Sequence, residues 1–170
     1  MATRSADRVK HRLPCVRCCD MESNSAPVAN AKKHRVLVID DDDGDFLMFL
    51  RRKDQQELNV ELQRARNAHE AFAMLRQQHA DGRDNNMMIL LDLNMPSMNG
   101  IEFLEELRVD PDLRDSIVVA VSGSSDPSDV RAAYSHHVAA YVVKTPDSTA
   151  KLIHLIKAYF DTVTMPSQAS

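Results

Sequence analysis

Five polar residues stand where apolar runs end. Asp40 and Asp41 follow Val36-Leu37-Val38-Ile39, and Asp92 follows Met87-Met88-Ile89-Leu90-Leu91. Ser122 follows Ile117-Val118-Val119-Ala120-Val121, and Lys144 follows Tyr141-Val142-Val143. Taken singly, each residue reads as a solvated loop, a helix cap, a turn or a surface lysine. Their joint placement points to chemistry. Carboxylates that share a small pocket repel one another unless a cation or a shifted pKa relieves them. Hard carboxylate oxygens favour Mg²⁺, which binds through one or two carboxylates together with phosphate oxygens. An Asp in such a pocket can act as a nucleophile and become an aspartyl phosphate. Charge developing on a phosphoryl group calls for a metal, a cation and hydrogen-bond donors. Mg²⁺, Lys144 and Ser122 supply one of each.

The elements that must position these residues follow from hydrophobic periodicity. The short unbroken apolar runs predict strands buried on both faces, as in a parallel sheet. Val60-Glu61-Leu62 adds another strand. Between the strands, apolar residues recur at helical spacing. Phe46, Leu47, Phe49 and Leu50 mark the first helix, and Ala71, Met74 and Leu75 the second, with Asn67 and Glu70 spaced as in a capping box. Ile101, Leu104 and Leu107 mark a third helix that ends near Asp110-Pro111. Pro127 opens a fourth, running to about His136, and Leu152, Ile153, Leu155, Ile156 and Tyr159 mark the fifth. Strand–helix alternation predicts a doubly wound α/β fold: a five-stranded parallel sheet with helices on both faces. In such sheets ligands bind at the carboxyl ends of the strands. With strand order 2-1-3-4-5, the flavodoxin-like arrangement, strands one and three are neighbours. Asp40, Asp41 and Asp92 then meet.

Composition sets the wider bounds. The chain has 170 residues and a net charge of −4, which suits one domain with tails. The charge is unevenly spread. Residues 1–35 hold eight Lys+Arg against three acidic residues, and the remainder holds 13 against 22. Residues 1–33 have little apolar periodicity and include the linker-like Ser23-Asn24-Ser25-Ala26-Pro27, so they read as a disordered basic leader. On this reading Met21 is a candidate translation start, with residues 1–20 lying upstream of it. Cys15, Cys18 and Cys19 all lie in this leader. The remaining sequence can form no disulfide, which fits a reducing cytoplasm. Cys-x-x-Cys-Cys lacks a second pair to complete a zinc site. An acidic domain gives no sign of nucleic-acid binding. No apolar run is long enough to span a membrane.

Three segments resemble the signatures of response-regulator receiver domains. They are Val38-Ile39-Asp40-Asp41, the stretch from Leu90-Leu91-Asp92 to Met98-Asn99-Gly100, and Tyr141-Val142-Val143-Lys144. The resemblance covers about residues 34–161. It implies that Asp92 accepts a phosphoryl group from a histidine kinase. It also implies that Asp41, Asp92 and the backbone carbonyl of Asn94 bind Mg²⁺ directly, while Asp40 holds a metal-bound water. Ser122 and Lys144 bind the phosphoryl oxygens, Tyr141 rotates inward with Ser122, and Asn94 and Ser124 tune phosphoryl lifetime. Ser122 and Lys144 reach those oxygens only after movement, which biases a two-state loop toward one form. The readout then falls on helix four, strand five and helix five.

Ser125-Asp126-Pro127-Ser128-Asp129-Val130 and the ending Tyr159-Phe160-Asp161-Thr162-Val163-Thr164-Met165-Pro166 are similar to single-domain regulators paired with bacterial phytochrome kinases. That resemblance implies a homodimer formed through helix four, strand five and helix five, with residues 162–170 as a C-terminal arm; a frayed tail is the alternative reading of those residues. The chain then reads as a stand-alone phospho-acceptor switch, not an enzyme beyond its own phosphorylation and dephosphorylation. Two alternatives are a receiver that binds partners without phosphorylation and a phosphatase that uses Asp92 as nucleophile. Asn94 disfavours the phosphatase, since those enzymes commonly carry a second acid two residues after the nucleophile. One departure stands out. Receivers usually have Pro directly after the lysine, joined by a cis peptide, but the order here is Lys144-Thr145-Pro146.

Overall fold

The structure is a computed structural model that describes residues 34–82, 87–95 and 98–162. The expected leader with its cysteines and residues 163–170 of the expected arm lie outside the described residues, while Thr162, the first residue of that arm, is helical. Strands and helices alternate as the periodicity predicts. They are β1 (His34–Ile39), α1 (Asp43–Gln55), β2 (Val60–Ala65), α2 (Ala68–Ala80), β3 (Met87–Asp92), α3 (Gly100–Val109), β4 (Ile117–Ser122), α4 (Pro127–Ser135), β5 (Ala140–Val143) and α5 (Ser148–Thr162). The strands form one parallel sheet in the order β2-β1-β3-β4-β5. This is the flavodoxin-like arrangement expected from the sequence.

Side chains alternate across a strand, so each strand feeds two cores. Leu37, Ile39, Ile89, Leu91, Val118 and Ala120 pack against Phe72 and Leu75 of α2 and Phe103, Leu104 and Leu107 of α3. Val36, Val38, Met88, Leu90, Val119 and Val121 pack against Phe49 of α1 and Leu152, Ile153 and Ile156 of α5. Both faces are dry, which explains why the strands read as continuous apolar runs.

Helix starts follow their capping residues, with one shift from the sequence expectation. Asn67 Oδ1 accepts from Glu70 N at 2.9 Å, as a cap should. The Glu70 carboxylate, however, accepts from Arg66 N at 2.7 Å, one residue before the cap. The reciprocal box forms instead at α3. Asn99 N donates to Glu102 Oε2 at 3.2 Å, and the Asn99 side chain accepts in return.

Gly100 begins α3 under a tight constraint. A Cβ there would lie 2.5 Å from Leu93 Cα and 3.0 Å from the Asp92 carbonyl oxygen. Backbone atoms cannot move aside as a side-chain tip can. Gly100→Ala is expected to destabilise the protein by about 2 kcal/mol, the usual scale for overpacking. A urea midpoint equal to that of wild type would contradict this. At the opposite end of the sheet, Arg108 donates to the carbonyls of Ser116, His136 and His137, each at 2.9 Å. It thereby fixes the chain entering β4 and β5.

Candidate functional site

β1 and β3 are paired with Ile39 opposite Leu91, so Asp40 and Asp92 emerge side by side. The ladder continues past the strands: Asp40 N donates to Ala65 O at 3.1 Å and Leu93 N to Val121 O at 3.0 Å. Both aspartates are therefore held by backbone as well as by side-chain contacts. Asp40 is 7% exposed and Asp92 5%. Asp41 is exposed at the rim, and one carboxylate oxygen from each of the three lies within 4.8 Å of the others.

Side-chain alternation places Asp40, Asp92 and Lys144 on the sheet face covered by α1 and α5. Lys144 crosses the pocket. Its Nζ donates to Asp92 Oδ2 at 2.8 Å, Asp45 Oδ2 at 2.8 Å and Asp40 Oδ2 at 3.3 Å. Burial alone pulls the ammonium pKa down. The bonds to Asp45 and Asp92 and the charge of Asp40 outweigh this and hold the pKa well above the ordinary lysine value. At Asp40 the balance differs. Burial raises its pKa, and the hydrogen bond from Asp42 N and the charge of Lys144 offset that only in part.

That shift has a sign. A carboxyl group with a raised folded-state pKa destabilises the fold once it must ionise, so its contribution worsens as pH climbs through the folded value. As pH rises from the ordinary carboxylate range through the raised folded-state value, the stability of the metal-free wild type is expected to fall relative to that of Asp40→Asn. Denaturant titrations of both proteins in chelator would measure it, and a pH-independent difference would refute it.

Other predicted residues sit close by, on different supports. Asn94 N donates to Asp92 Oδ1 at 2.9 Å, which orients the carboxylate. Ser122 is 1% exposed and lies on the opposite sheet face, that of α2 and α3. Its Oγ accepts from Asn94 Nδ2 at 3.4 Å and from Ser124 N at 3.1 Å. Tyr141 does not enter the carboxylate pocket. It packs on the same face as Ser122, and its hydroxyl donates to Ser124 O at 2.9 Å. Gly123 faces open space: a Cβ added there would meet nothing closer than Asn94 Nδ2, at 3.8 Å. The Lys144–Thr145 peptide is trans, since no peptide among the described residues is cis.

Sequence reasoning missed Asp45. It also gave no task to Asp42 and Asp43, which follow Asp40 and Asp41 in the chain. Asp42 caps α1, accepting from Gly44 N at 2.6 Å and Asp45 N at 3.1 Å. Asp43 pairs with Arg64 and Arg66. Arg64 also donates to the Asp40 carbonyl through Nε at 3.1 Å and Nη2 at 3.0 Å, and stacks over Phe46. The available signal was that a helix starting at the end of β1 keeps its first turn beside the pocket. Beneath Lys144, a cavity of about 360 Å³ runs between α1 and α5, floored by Val38, Leu90 and Val121 and walled by Phe46, Phe49 and Leu152.

The fold and this acidic pocket define a receiver domain, and sequence comparison agrees. The chain belongs to the response regulator receiver family, whose sequence profile matches residues 36–157. Among curated proteins it is similar to response regulator Rcp1 of Synechocystis sp., with 31% identity over 136 residues, covering 78% of this chain and 92% of Rcp1. The crystal structure of the Mn²⁺-bound form of Rcp1 superposes with a TM-score of 0.66, covering 79% of this chain and 99% of that one. The phosphorylated cyanobacterial phytochrome response regulator RcpA is 30% identical, with a TM-score of 0.65 and the same coverage. The bacteriophytochrome response regulator RtBRR is 29% identical, with a TM-score of 0.62, covering 81% of this chain and 83% of that one. Receiver domains as a family are signalling modules of two-component systems. The carboxylate trio has the donor chemistry of a divalent-metal site: hard oxygens, two of them buried and carrying more negative charge than Lys144 balances. No helix among the described residues is long and apolar enough to cross a membrane.

Proposed function

We propose that this chain is a stand-alone response regulator that accepts a phosphoryl group on Asp92 from a histidine kinase. The observation that carries this reading is the position of Asp92. Its carboxylate is buried beside Asp40, oriented by Asn94 N and touched by the Lys144 ammonium. In the transfer, an Asp92 oxygen forms the new P–O bond while the P–N bond to the kinase imidazole breaks. Gly123 leaves the approach open for that ring. Lys144 then neutralises charge on the phosphoryl oxygens, and the Ser122 hydroxyl, held by Asn94 and Ser124, reaches them only after movement. Asp41, Asp92 and the Asn94 carbonyl would hold Mg²⁺ directly, with Asp40 binding one of its waters. The ion would supply charge neutralisation between the acceptor and the incoming phosphoryl group.

The output would travel through the loop after β4. Drawing Ser122 toward a phosphoryl group shifts Ser124, and Tyr141 is tied to Ser124 through its hydroxyl. Movement there changes the face formed by α4, β5 and α5. Similarity to RcpA and RtBRR, both phytochrome response regulators by name, supports a bacteriophytochrome as the kinase. The homodimer contact through this face and the C-terminal arm rests on the ending Tyr159 to Pro166 of the sequence. The test uses the full chain. After incubation with acetyl phosphate and Mg²⁺, intact mass should rise by one phosphoryl group, and borohydride reduction should convert residue 92 alone. No mass gain, or reduction at another aspartate, would overturn the reading.

A further inference from the structure

Lys144 has three N–H donors, and three carboxylates take them: Asp40, Asp45 and Asp92. Asp40 and Asp92 belong to the carboxylate trio, whereas Asp45 stands outside it. A cation in the trio would compete with Lys144 for Asp92 and Asp40 and leave Asp45 untouched. Asp45 is then the contact that remains when a phosphoryl group on Asp92 draws the ammonium. Its geometry is firm. It sits in the first turn of α1, its backbone N donates to Asp42 Oδ1, and its carboxylate is as close to Nζ as that of Asp92, at 2.8 Å each.

We propose that Asp45 is a positioning residue for phosphoryl acceptance: its carboxylate competes with Asp92 for the Lys144 ammonium and so sets how tightly the site holds cation and phosphoryl anion. Two consequences have opposite signs. Asp45 adds negative charge beside the trio and keeps Lys144 from leaning wholly on Asp40 and Asp92. Both effects favour a bound cation. The same carboxylate repels an anion at Asp92 and occupies one donor that the anion would use. Both effects disfavour the phosphoryl group. Asp45 also ties α1 to the β5–α5 loop, so its contact would register phosphorylation on the α1 surface.

The test is Asp45→Asn, which keeps the side-chain shape. Binding is followed by NMR shifts of backbone amides. Mg²⁺ affinity is expected to fall about threefold, and affinity for beryllofluoride at saturating Mg²⁺ to rise about three- to tenfold, the scale of removing one nearby partly screened charge. A residue that only stabilised α1 would weaken both ligands together or leave both unchanged, and either result overturns the proposal. In a Lys144→Met background, Asp45→Asn should lose the part of its effect on beryllofluoride that runs through the shared ammonium and keep only the direct charge repulsion, and an undiminished effect would also overturn the proposal. The inference rests on Asp92 as acceptor. A wild-type protein that takes up neither phosphoryl group nor beryllofluoride would sink both readings. Wild-type binding with an indifferent Asp45→Asn would sink only this one.

Discussion

Asp92→Asn is expected to gain no phosphoryl mass from acetyl phosphate and Mg²⁺ under conditions where the wild type is modified. An amide oxygen lacks the charge that makes a carboxylate a nucleophile, and no neighbouring acid can substitute. Asp40 is turned toward Lys144 and its own backbone, accepting from Asp42 N at 2.8 Å, and Asp41 sits exposed at the rim. The fold should survive. Asn keeps an oxygen for Asn94 N, which now donates to Asp92 Oδ1 at 2.9 Å. Metal binding should not survive intact, because one of the three carboxylates is lost. Mg²⁺ affinity is expected to drop by roughly tenfold or more, on the order of 1.4 kcal/mol. Intact mass and Mg²⁺ titration measure the two effects separately. A variant that still took up phosphoryl mass would place the acceptor elsewhere.

Lys144→Met should show the opposite metal dependence. Methionine fills similar space without charge, leaving Asp40 and Asp92 buried with no cation. Removing one partner of a buried ion pair costs about 3–5 kcal/mol, and partial solvent access to Lys144 reduces that to about 3 kcal/mol here. The Lys144 side chain is 27% exposed, so some screening persists. The loss is expected in chelator and should largely vanish at saturating Mg²⁺, since the ion takes over the neutralising role. Mg²⁺ should also bind about tenfold tighter, freed from competition with the ammonium. Urea unfolding with and without Mg²⁺ reads this directly. Equal destabilisation in both conditions would mean that Lys144 contributes packing alone.

Much of the site is readable in the sequence because each of its residues terminates an apolar run. Asp40, Asp41, Asp92, Ser122 and Lys144 are polar residues at the points where buried strands meet solvent, and those points lie together in a parallel sheet. Residues on helices and loops are harder to read. Asp45 looks like an ordinary acid in a first turn, favourable there through the helix dipole alone. Its contact with Lys144 spans 99 residues of sequence. Asn67 and Glu70 have the spacing of a capping box, yet Glu70 finds the amide of Arg66 instead. Local spacing names the candidates for a cap. The backbone path before the helix selects among them.

Hydrophobic alternation by itself determined the five strands and helices, the two-layered burial of the sheet and the end at which the acids gather. These features depend on period and on where apolar runs stop, both of which are local. Tertiary structure alone decided which face each polar residue takes and what it meets there. Asp40, Asp92 and Lys144 share the α1–α5 face, while Ser122 and Tyr141 share the other. The site is therefore built from both sides of one sheet, joined by Asn94. Register between strands distant in sequence fixes that division, and no single segment carries the information.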